Sequence, residues 1–227
     1  PKDVSIAYLV GGDERIAAWW KEAVADTVKE IEDVTATRLR KGGIDNQDRV
    51  TGSMVAAIVT HEASRALDPQ LHTHVCIMNV TYDQHERQWK SVQPWNYFRH
   101  QAFFREVCYN KLAGRMIEAG YEIERARGMG FNVKGFPTEL RKQFSKRREE
   151  IERIAKSAGA VTQDELQTIT TRTRHAKKHV DGVTLRQQWR NEAGDKLSEI
   201  EGIIARADGI AKDRRVYTPD ESVAWAQ

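Results

Sequence analysis

Two apolar runs with a polar connection between them constrain the fold of this chain more than any other feature. The first run covers residues 55–60 and ends on His61, and the second covers residues 74–80. Short runs rich in β-branched residues predict two strands joined by a loop. Alternate side chains of a strand share a face, so His72 and His74 should point the same way, about 7 Å apart at their Cα atoms.

The two predicted strands favour a metal site. If they pair antiparallel, His61 can face the same point as His72 and His74. Imidazole ligands suit zinc, manganese, nickel or iron better than calcium. Three protein ligands also leave coordination positions open, as in a catalytic rather than a structural site. The alternative is that these histidines are exposed or satisfied by ordinary contacts.

Composition sets wide limits on the partners of the chain. Its 227 residues can bury a sizeable core, and its net charge of +3 permits a nucleic-acid partner without requiring one. Cys76 and Cys108 lie in apolar patterns, which predicts buried thiols and no disulfide framework, as in a reducing cytosol. No apolar stretch reaches the length of a membrane span.

The remaining patterns predict an α+β fold, with an antiparallel sheet and helices packed on it. Two helices and a hairpin have the clearest patterns, and the other predicted elements are short. The predicted elements are a helix over 1–34 that breaks at Gly11 and Gly12, a strand over 35–40, turn residues over 41–48, a strand over 89–93 that pairs with the histidine strand, a helix over 95–119 closed by Gly120, and a hairpin over 121–133.

The character of the chain changes at Pro137, where a helix is predicted to begin. The helices beyond it have thin apolar stripes and dense basic clusters, which is typical of phosphate contacts, although a solvated helix face remains the alternative. We expect them to pack loosely as a cover. The candidate DNA contacts are Arg65, which lies in the loop between His61 and His72 (the histidine loop), and Arg141, Lys142, Lys146, Arg147, Arg148, Arg172, Arg174, Lys177 and Lys178.

The segment His61-Glu-x-Ser-Arg-x-x-Asp-Pro-Gln-Leu-His72-Thr-His74 resembles the three-histidine motif of conjugative relaxases of the TrwC/TraI (MobF) type, within the HUH endonuclease superfamily. The resemblance implies a central antiparallel sheet that carries one divalent ion (Mg, Mn or Zn) on these histidines. It also implies single-stranded DNA at a plasmid transfer origin as the partner, a helicase-type domain fused in the full-length protein, and a bacterial cytoplasmic location.

The resemblance further implies a covalent reaction. In this family a tyrosine near the N-terminus attacks the phosphate at the nick site, which leaves a 5′-phosphotyrosine and a 3′-OH that can later rejoin the strand. The first residues, 1–5, resemble a family segment that follows both the tyrosines and a strand with a histidine-orienting aspartate. We therefore expect the nucleophile upstream of Pro1, assign no catalytic residue here, and expect the chain alone to be inactive.

The resemblance also suggests a domain division. Residues 1–136 are the expected relaxase core, residues 137–216 a helical extension that clamps DNA, and residues 217–227 the start of a linker to a further domain. Two other functions remain open. The chain could be a non-catalytic single-stranded DNA-binding module with a structural metal, or a metal-dependent hydrolase of a small substrate, which would leave the basic helices unexplained.

Overall fold

The computed structural model describes residues 1–41, 44–159, 162–173 and 180–213. The predicted contacts Arg174, Lys177 and Lys178 and the segment 217–227 lie outside these ranges. The helices are α1 (Lys2–Leu9), α2 (Arg15–Asp33), α3 (Trp95–Arg99), α4 (Gln101–Glu118), α5 (Thr138–Gln143), α6 (Lys146–Ala158), α7 (Gln163–Arg172), α8 (Gly182–Ala193) and α9 (Leu197–Asp213). The strands are β1 (Ala36–Lys41), β2 (Ile44–Val50), β3 (Ala56–Ala63), β4 (Pro69–Ile77), β5 (Thr81–Asp83), β6 (Gln88–Lys90), β7 (Ile123–Arg125) and β8 (Phe131–Val133).

The α+β class is confirmed, but the strands are arranged differently from the prediction. Within the described ranges they form four antiparallel pairs, β1–β2, β3–β4, β5–β6 and β7–β8, instead of one central sheet. The last four strands have three residues each. β6 pairs with β5 and not with the histidine strand, because the residues that follow it turn to β1, where Gln93 donates to Ala36 O at 2.7 Å. The predicted turn over 41–48 is also too long, because β2 begins at Ile44.

Strand β3 is more exposed than its apolar sequence suggests. Its hydrogen-bonded partner in the described ranges is β4. Ile58 is 50% exposed and Val59, which points to the other face, is 45% exposed. The predicted strand is therefore present but open to solvent on both faces, because apolar side chains need packing on each face to be buried.

The helix predictions hold with one exception. The break at Gly11 and Gly12 separates α1 from α2 as expected. The second long helix is interrupted at His100, which divides it into α3 and α4. Gly120 follows the end of α4 with φ +91°, a conformation that favours glycine.

One hydrophobic core joins the two ends of the described chain. Residues of α1, α4, α5, α8 and α9 belong to the same buried cluster. The chain just after α1 approaches α9 so closely that a Cβ atom on Gly11 would lie 2.6 Å from Ile200. Trp189 of α8 and Phe144 after α5 are at most 2% exposed. The expectation of a loosely packed cover is therefore wrong for α5, α8 and α9, because each of them places apolar side chains in the shared core.

Helices α6 and α7 form a separate layer. Arg147 of α6 donates hydrogen bonds to Thr170 O at 3.0 Å and to Thr173 Oγ1 at 2.9 Å, which joins the end of α7 to the start of α6. Thr162 and Glu165 form a capping box at the start of α7. Ala155 is the buried residue of α6. This pair of helices therefore depends more on polar contacts than the rest of the C-terminal region does.

Candidate metal centre

The hairpin of β3 and β4 places the three predicted histidines together. His61 lies directly opposite His72 in the antiparallel register, and Val59 lies opposite His74. Directly opposed residues share a face, as do residues two apart in one strand. The rings of His61, His72 and His74 therefore occupy one face of the hairpin. His74 is exposed and the other two are half-buried, so this face is open to solvent.

The spacing of the three rings fits a tetrahedral ion. Their centroids are 5.5 Å (His61–His72), 5.4 Å (His61–His74) and 5.1 Å (His72–His74) apart. Nitrogen ligands about 2.0–2.1 Å from such an ion place two ring centroids about 5.2 Å apart. As the rings are oriented here, no three His, Cys, Asp or Glu side chains of the described ranges are arranged to hold a metal ion. Rotation of a ring about its Cβ–Cγ bond redirects its nitrogens and hardly moves its centroid, so the centroid distances remain compatible with a metal ion.

His72 has a hydrogen bond that prepares it as a ligand. Its Nδ1 lies 2.9 Å from the carbonyl oxygen of Gln70. A carbonyl oxygen can only accept, so Nδ1 is the donor, and Nε2 is the nitrogen that would bind a metal. Metal-bound histidines usually make such a bond through the nitrogen that does not bind the metal. The backbone of β4 thus supplies part of the support that sequence reasoning assigned to an aspartate elsewhere.

The opposite face of the hairpin packs on helices. Trp20 of α2 donates from Nε1 to Thr73 Oγ1 at 2.8 Å, and Thr60 contacts the same hydroxyl across the strands at 2.9 Å. Leu71 donates its N–H to Ser5 Oγ of α1 at 3.0 Å. These contacts anchor β4 to α1 and α2, so the histidine face of the hairpin points away from these two helices.

A cluster of charged groups ties β3 to both ends of the described chain. The Tyr8 hydroxyl donates to Glu62 Oε1 at 2.7 Å, and Arg186 of α8 donates to Glu62 at 3.0 Å and to the Tyr8 oxygen at 2.8 Å. Glu62 therefore points away from His61, as consecutive residues of a strand do. Burial, which is the larger cause, and the hydrogen bond to Glu62 both raise the pKa of Tyr8. Sequence reasoning did not find Arg186, because its partners lie far away along the chain.

The loop between the two histidine strands is fixed by C-terminal helices. Trp189 Nε1 donates to Leu67 O at 2.7 Å, and Leu67 has φ +60°. The side chain of Asp68 is 1% exposed and lies 3.9 Å from Lys146 Nζ at the start of α6. Burial raises the pKa of Asp68, although nearby lysines act in the opposite direction. A negative group at a helix start also interacts favourably with the helix dipole. Asp68 thus links the histidine loop to α6, a role that its sequence position alone does not indicate.

The predicted DNA contacts differ in their availability. Arg141 donates to Phe136 O at 2.9 Å and Arg147 is held between α6 and α7, so both take part in internal packing. Lys146 pairs with Glu192 at 2.7 Å. Arg65 is half-buried in the histidine loop. Lys142, Arg148 and Arg172 are exposed, and Arg148 pairs with Glu152 of the same helix at 2.7 Å.

The described tyrosines have partners other than the histidines. Tyr97 contacts Thr35 Oγ1 at 2.8 Å, and Tyr121 donates to Asp13 Oδ2 at 2.6 Å. Burial raises the pKa of Tyr97, Tyr109 and Tyr121, which disfavours the phenolate form. The ring of Tyr82 packs against Trp89.

The cysteine prediction is half right. Cys76 lies on the histidine face but is exposed, so the expectation of a buried thiol there is wrong. The thiol is exposed because this face is open along β4. Cys108 is half-buried and, like Cys76, is a free thiol, in agreement with the absence of a disulfide framework.

Comparisons with known proteins agree with this architecture. The family model described as TrwC relaxase matches residues 1–196. The multifunctional conjugation protein TraI of Escherichia coli is 30% identical over 225 residues, which is 94% of this chain and 12% of that protein. TraI of strain K12 is 30% identical over 230 residues, with 96% of this chain and 12% of that protein covered. The chain thus spans about an eighth of the length of these relatives.

Solved structures give the same result. A copper-bound structure of the conjugative relaxase TrwC in complex with oriT DNA has a TM-score of 0.79 and 29% identity, over 87% of this chain and 68% of that one. TrwC bound to a 27-mer DNA with the recognition hairpin and the cleavage site has a TM-score of 0.80 and 29% identity, over 87% and 71% of the two chains. The family match covers well over half of the chain, so this protein belongs to the TrwC relaxase family.

Proposed function

We propose that this chain is part of a relaxase that nicks and rejoins one DNA strand at a plasmid transfer origin and so initiates conjugative transfer. The observation that carries the proposal is the convergence of three histidine rings within 5.5 Å of one another on an open strand face. Similarity to TraI and to DNA-bound TrwC supports the same function.

The three histidines would hold one divalent ion, and Mg, Mn and Zn are the candidates. A copper-bound TrwC structure supports a divalent metal in this family. When bound, such an ion polarises an oxygen of the scissile phosphate and offsets the charge that develops on it. The register of the hairpin brings the three histidines to one face, and phosphoryl transfer depends mainly on the positioning of the reacting groups.

Single-stranded DNA at the transfer origin is the proposed partner. Lys142, Arg148 and Arg172 are exposed and able to contact phosphates, and Arg65 lies in the histidine loop. We retain Arg141, Lys146 and Arg147 as weaker candidates because they contact residues outside their own helices, whereas Arg148 pairs with Glu152 of the same helix and its side chain is 80% exposed. The proposal includes a helicase-type domain in the full-length protein and action in the bacterial cytoplasm. No helix in the described ranges combines the length and apolar character of a membrane span.

We place the nucleophile outside the described tyrosines. Burial raises the pKa of Tyr8, Tyr97, Tyr109 and Tyr121, and a raised pKa lowers the fraction of phenolate available for attack. The resemblance to relaxases implies an upstream tyrosine that would form the 5′-phosphotyrosyl intermediate. The same observations keep a second function open, that of a non-catalytic single-stranded DNA-binding module with a structural metal.

A covalent-capture assay tests the proposal. An oligonucleotide with the nick site of the cognate origin is labelled at the end that stays on the 5′-phosphate product, incubated with protein and Mn²⁺, and resolved on a denaturing gel. We expect no protein-linked product from residues 1–227 alone, and a linked product from a longer protein that includes the upstream tyrosines. The His72→Ala/His74→Ala variant of the longer protein should lose most of that product.

Each alternative has its own result in this assay. DNA binding without any covalent product from the longer protein would support the non-catalytic module and overturn the relaxase proposal. A linked product from residues 1–227 that disappears in Tyr8→Phe would instead place the nucleophile on α1.

A further inference from the structure

The surface beside α3 has two large aromatic side chains in contact with solvent. Trp95 is 58% exposed and Phe98 is 70% exposed. Together with Arg38, Gln93 and Pro94 they line an open groove of about 490 Å³, here named the aromatic groove. Exposed aromatic rings that adjoin one another are uncommon on protein surfaces that have no binding role.

The two rings are held in place by the other side of the helix. Asn96 donates to Val34 O at 3.4 Å, and Tyr97 contacts Thr35 Oγ1 at 2.8 Å. These contacts fasten one side of α3 to the end of α2 and the start of β1. Trp95 and Phe98 are three residues apart, so they neighbour each other on the helix surface. The rings of Trp95 and Phe98 therefore lie on a helix that is anchored to the rest of the protein.

The positive charges around Trp95 and Phe98 favour a ligand that combines aromatic rings with phosphates. The Arg99 guanidinium lies 5.7 Å from the centroid of the Trp95 ring. Arg38 is one wall of the aromatic groove, and none of the five lining residues is acidic. Asp48 lies near this wall, where it accepts a hydrogen bond from Gln93 at 3.3 Å. Aromatic rings with neighbouring arginines are typical of surfaces on which unpaired nucleobases stack.

The size of the patch argues against a second copy of the chain as the occupant. A side chain such as Trp95 or Phe98 buries at most about 150–250 Å². The two rings together therefore offer far less area for burial than the roughly 800 Å² that each partner buries in a stable interface. A stacked base needs only one ring face, which each of the two side chains can provide.

We propose that the aromatic groove is a second DNA-binding site, at which unpaired nucleobases of single-stranded DNA stack on Trp95 and Phe98. It adjoins β1 and α3, whereas the histidine cluster lies on the β3–β4 pair. The proposal rests on the proposed function to the extent that single-stranded DNA is the partner of the chain.

Fluorescence anisotropy with two labelled 20-nucleotide probes tests this site. One probe has mixed bases, and the other has the same phosphates with abasic positions throughout its centre. Trp95→Ala/Phe98→Ala should weaken binding of the normal probe about 5-fold or more for each ring that stacks on a base. It should leave binding of the abasic probe unchanged, because that binding depends on charge alone. Trp95→Phe with Phe98 intact should retain most of the affinity.

Trp89→Ala is the matched control, because Trp89 is 61% exposed but does not line the aromatic groove. Equal binding of the normal probe by the double variant and the unsubstituted chain would overturn the second site and leave the proposed function intact. An equal loss with both probes would overturn base stacking. A dimer in sedimentation that the double variant abolishes would show that a second copy occupies the groove. Failure of the unsubstituted chain to bind either probe would overturn this site together with the DNA-binding part of the proposed function.

Discussion

Asp13 shows how a single buried charge can stabilise this fold. Its side chain is 3% exposed, and it accepts hydrogen bonds from Tyr121 at 2.6 Å and from Arg15 at 2.7 Å. Burial alone would raise the pKa of Asp13, but the bonds from Arg15 and Tyr121 lower it overall. A carboxylate with a lowered pKa stabilises the folded state above its unfolded value of about 3.9, and the contribution disappears as the pH falls through the folded value.

We therefore expect Tyr121→Phe to lower the free energy of unfolding by about 1.5–3 kcal/mol at pH 7, because it removes a hydrogen bond to a charged group. The loss should remain constant down to about pH 4 and shrink below it, as Asp13 becomes protonated. Urea unfolding at several pH values measures this, and Tyr82→Phe is a control for removal of a hydroxyl. A cost that stays the same at pH 2.5 would show that the charge on Asp13 is not involved.

The hairpin of β3 and β4 could be predicted in detail, whereas its surroundings could not. The alternation of His72 and His74 and the apolar run before His61 are local signals, and they place three rings on one face. The contacts of Arg186 with Glu62 and Tyr8 join residues up to 178 positions apart, and no local pattern records them. The exposure of Ile58 likewise depends on what packs against the strand, which periodicity does not reveal.

The basic residues of the C-terminal helices also show that long-range contacts cannot be predicted from local sequence patterns. A charge cluster in the sequence does not distinguish Arg147, which joins α6 to α7, from Arg148, whose side chain is 80% exposed. Only the three-dimensional position of each side chain separates internal contacts from accessible ones. This distinction determines which substitutions can test DNA binding without loss of the fold.

Replacing Lys142, Arg148 and Arg172 with Gln should reduce the salt dependence of single-stranded DNA binding. Removal of one phosphate contact lowers the slope of log K against log salt by about 0.7, so the slope of the triple variant should fall by about 2. Anisotropy titrations at several NaCl concentrations measure the slope. Lys21→Gln with Lys29→Gln on α2 is the matched control for the loss of exposed charge. An unchanged slope in the triple variant would place the phosphate contacts elsewhere.

The whole molecule holds the histidine hairpin between its two ends. Tyr8 of α1 and Arg186 of α8 contact β3, while Trp189 and the start of α6 hold the loop of the hairpin. Deleting the chain after Pro137 would remove core residues such as Phe144, so it would test stability as much as DNA binding. The expected division at residues 136 and 137 remains a prediction, and the shared core shows that both sides pack together.

Titration of residues 1–227 with Cu²⁺ tests the metal centre most directly. Calorimetry measures the affinity and the number of ions bound, and electron spin-echo modulation detects coordination by imidazole nitrogens. We expect one ion per chain with imidazole coordination. His72→Ala/His74→Ala should weaken binding by more than about 100-fold, since loss of a supporting group alone costs about 10–100-fold. His85→Ala/His100→Ala, which changes two exposed histidines outside the cluster, should bind like the unsubstituted chain. Undiminished affinity and an unchanged spectrum in His72→Ala/His74→Ala would contradict a metal site on this hairpin.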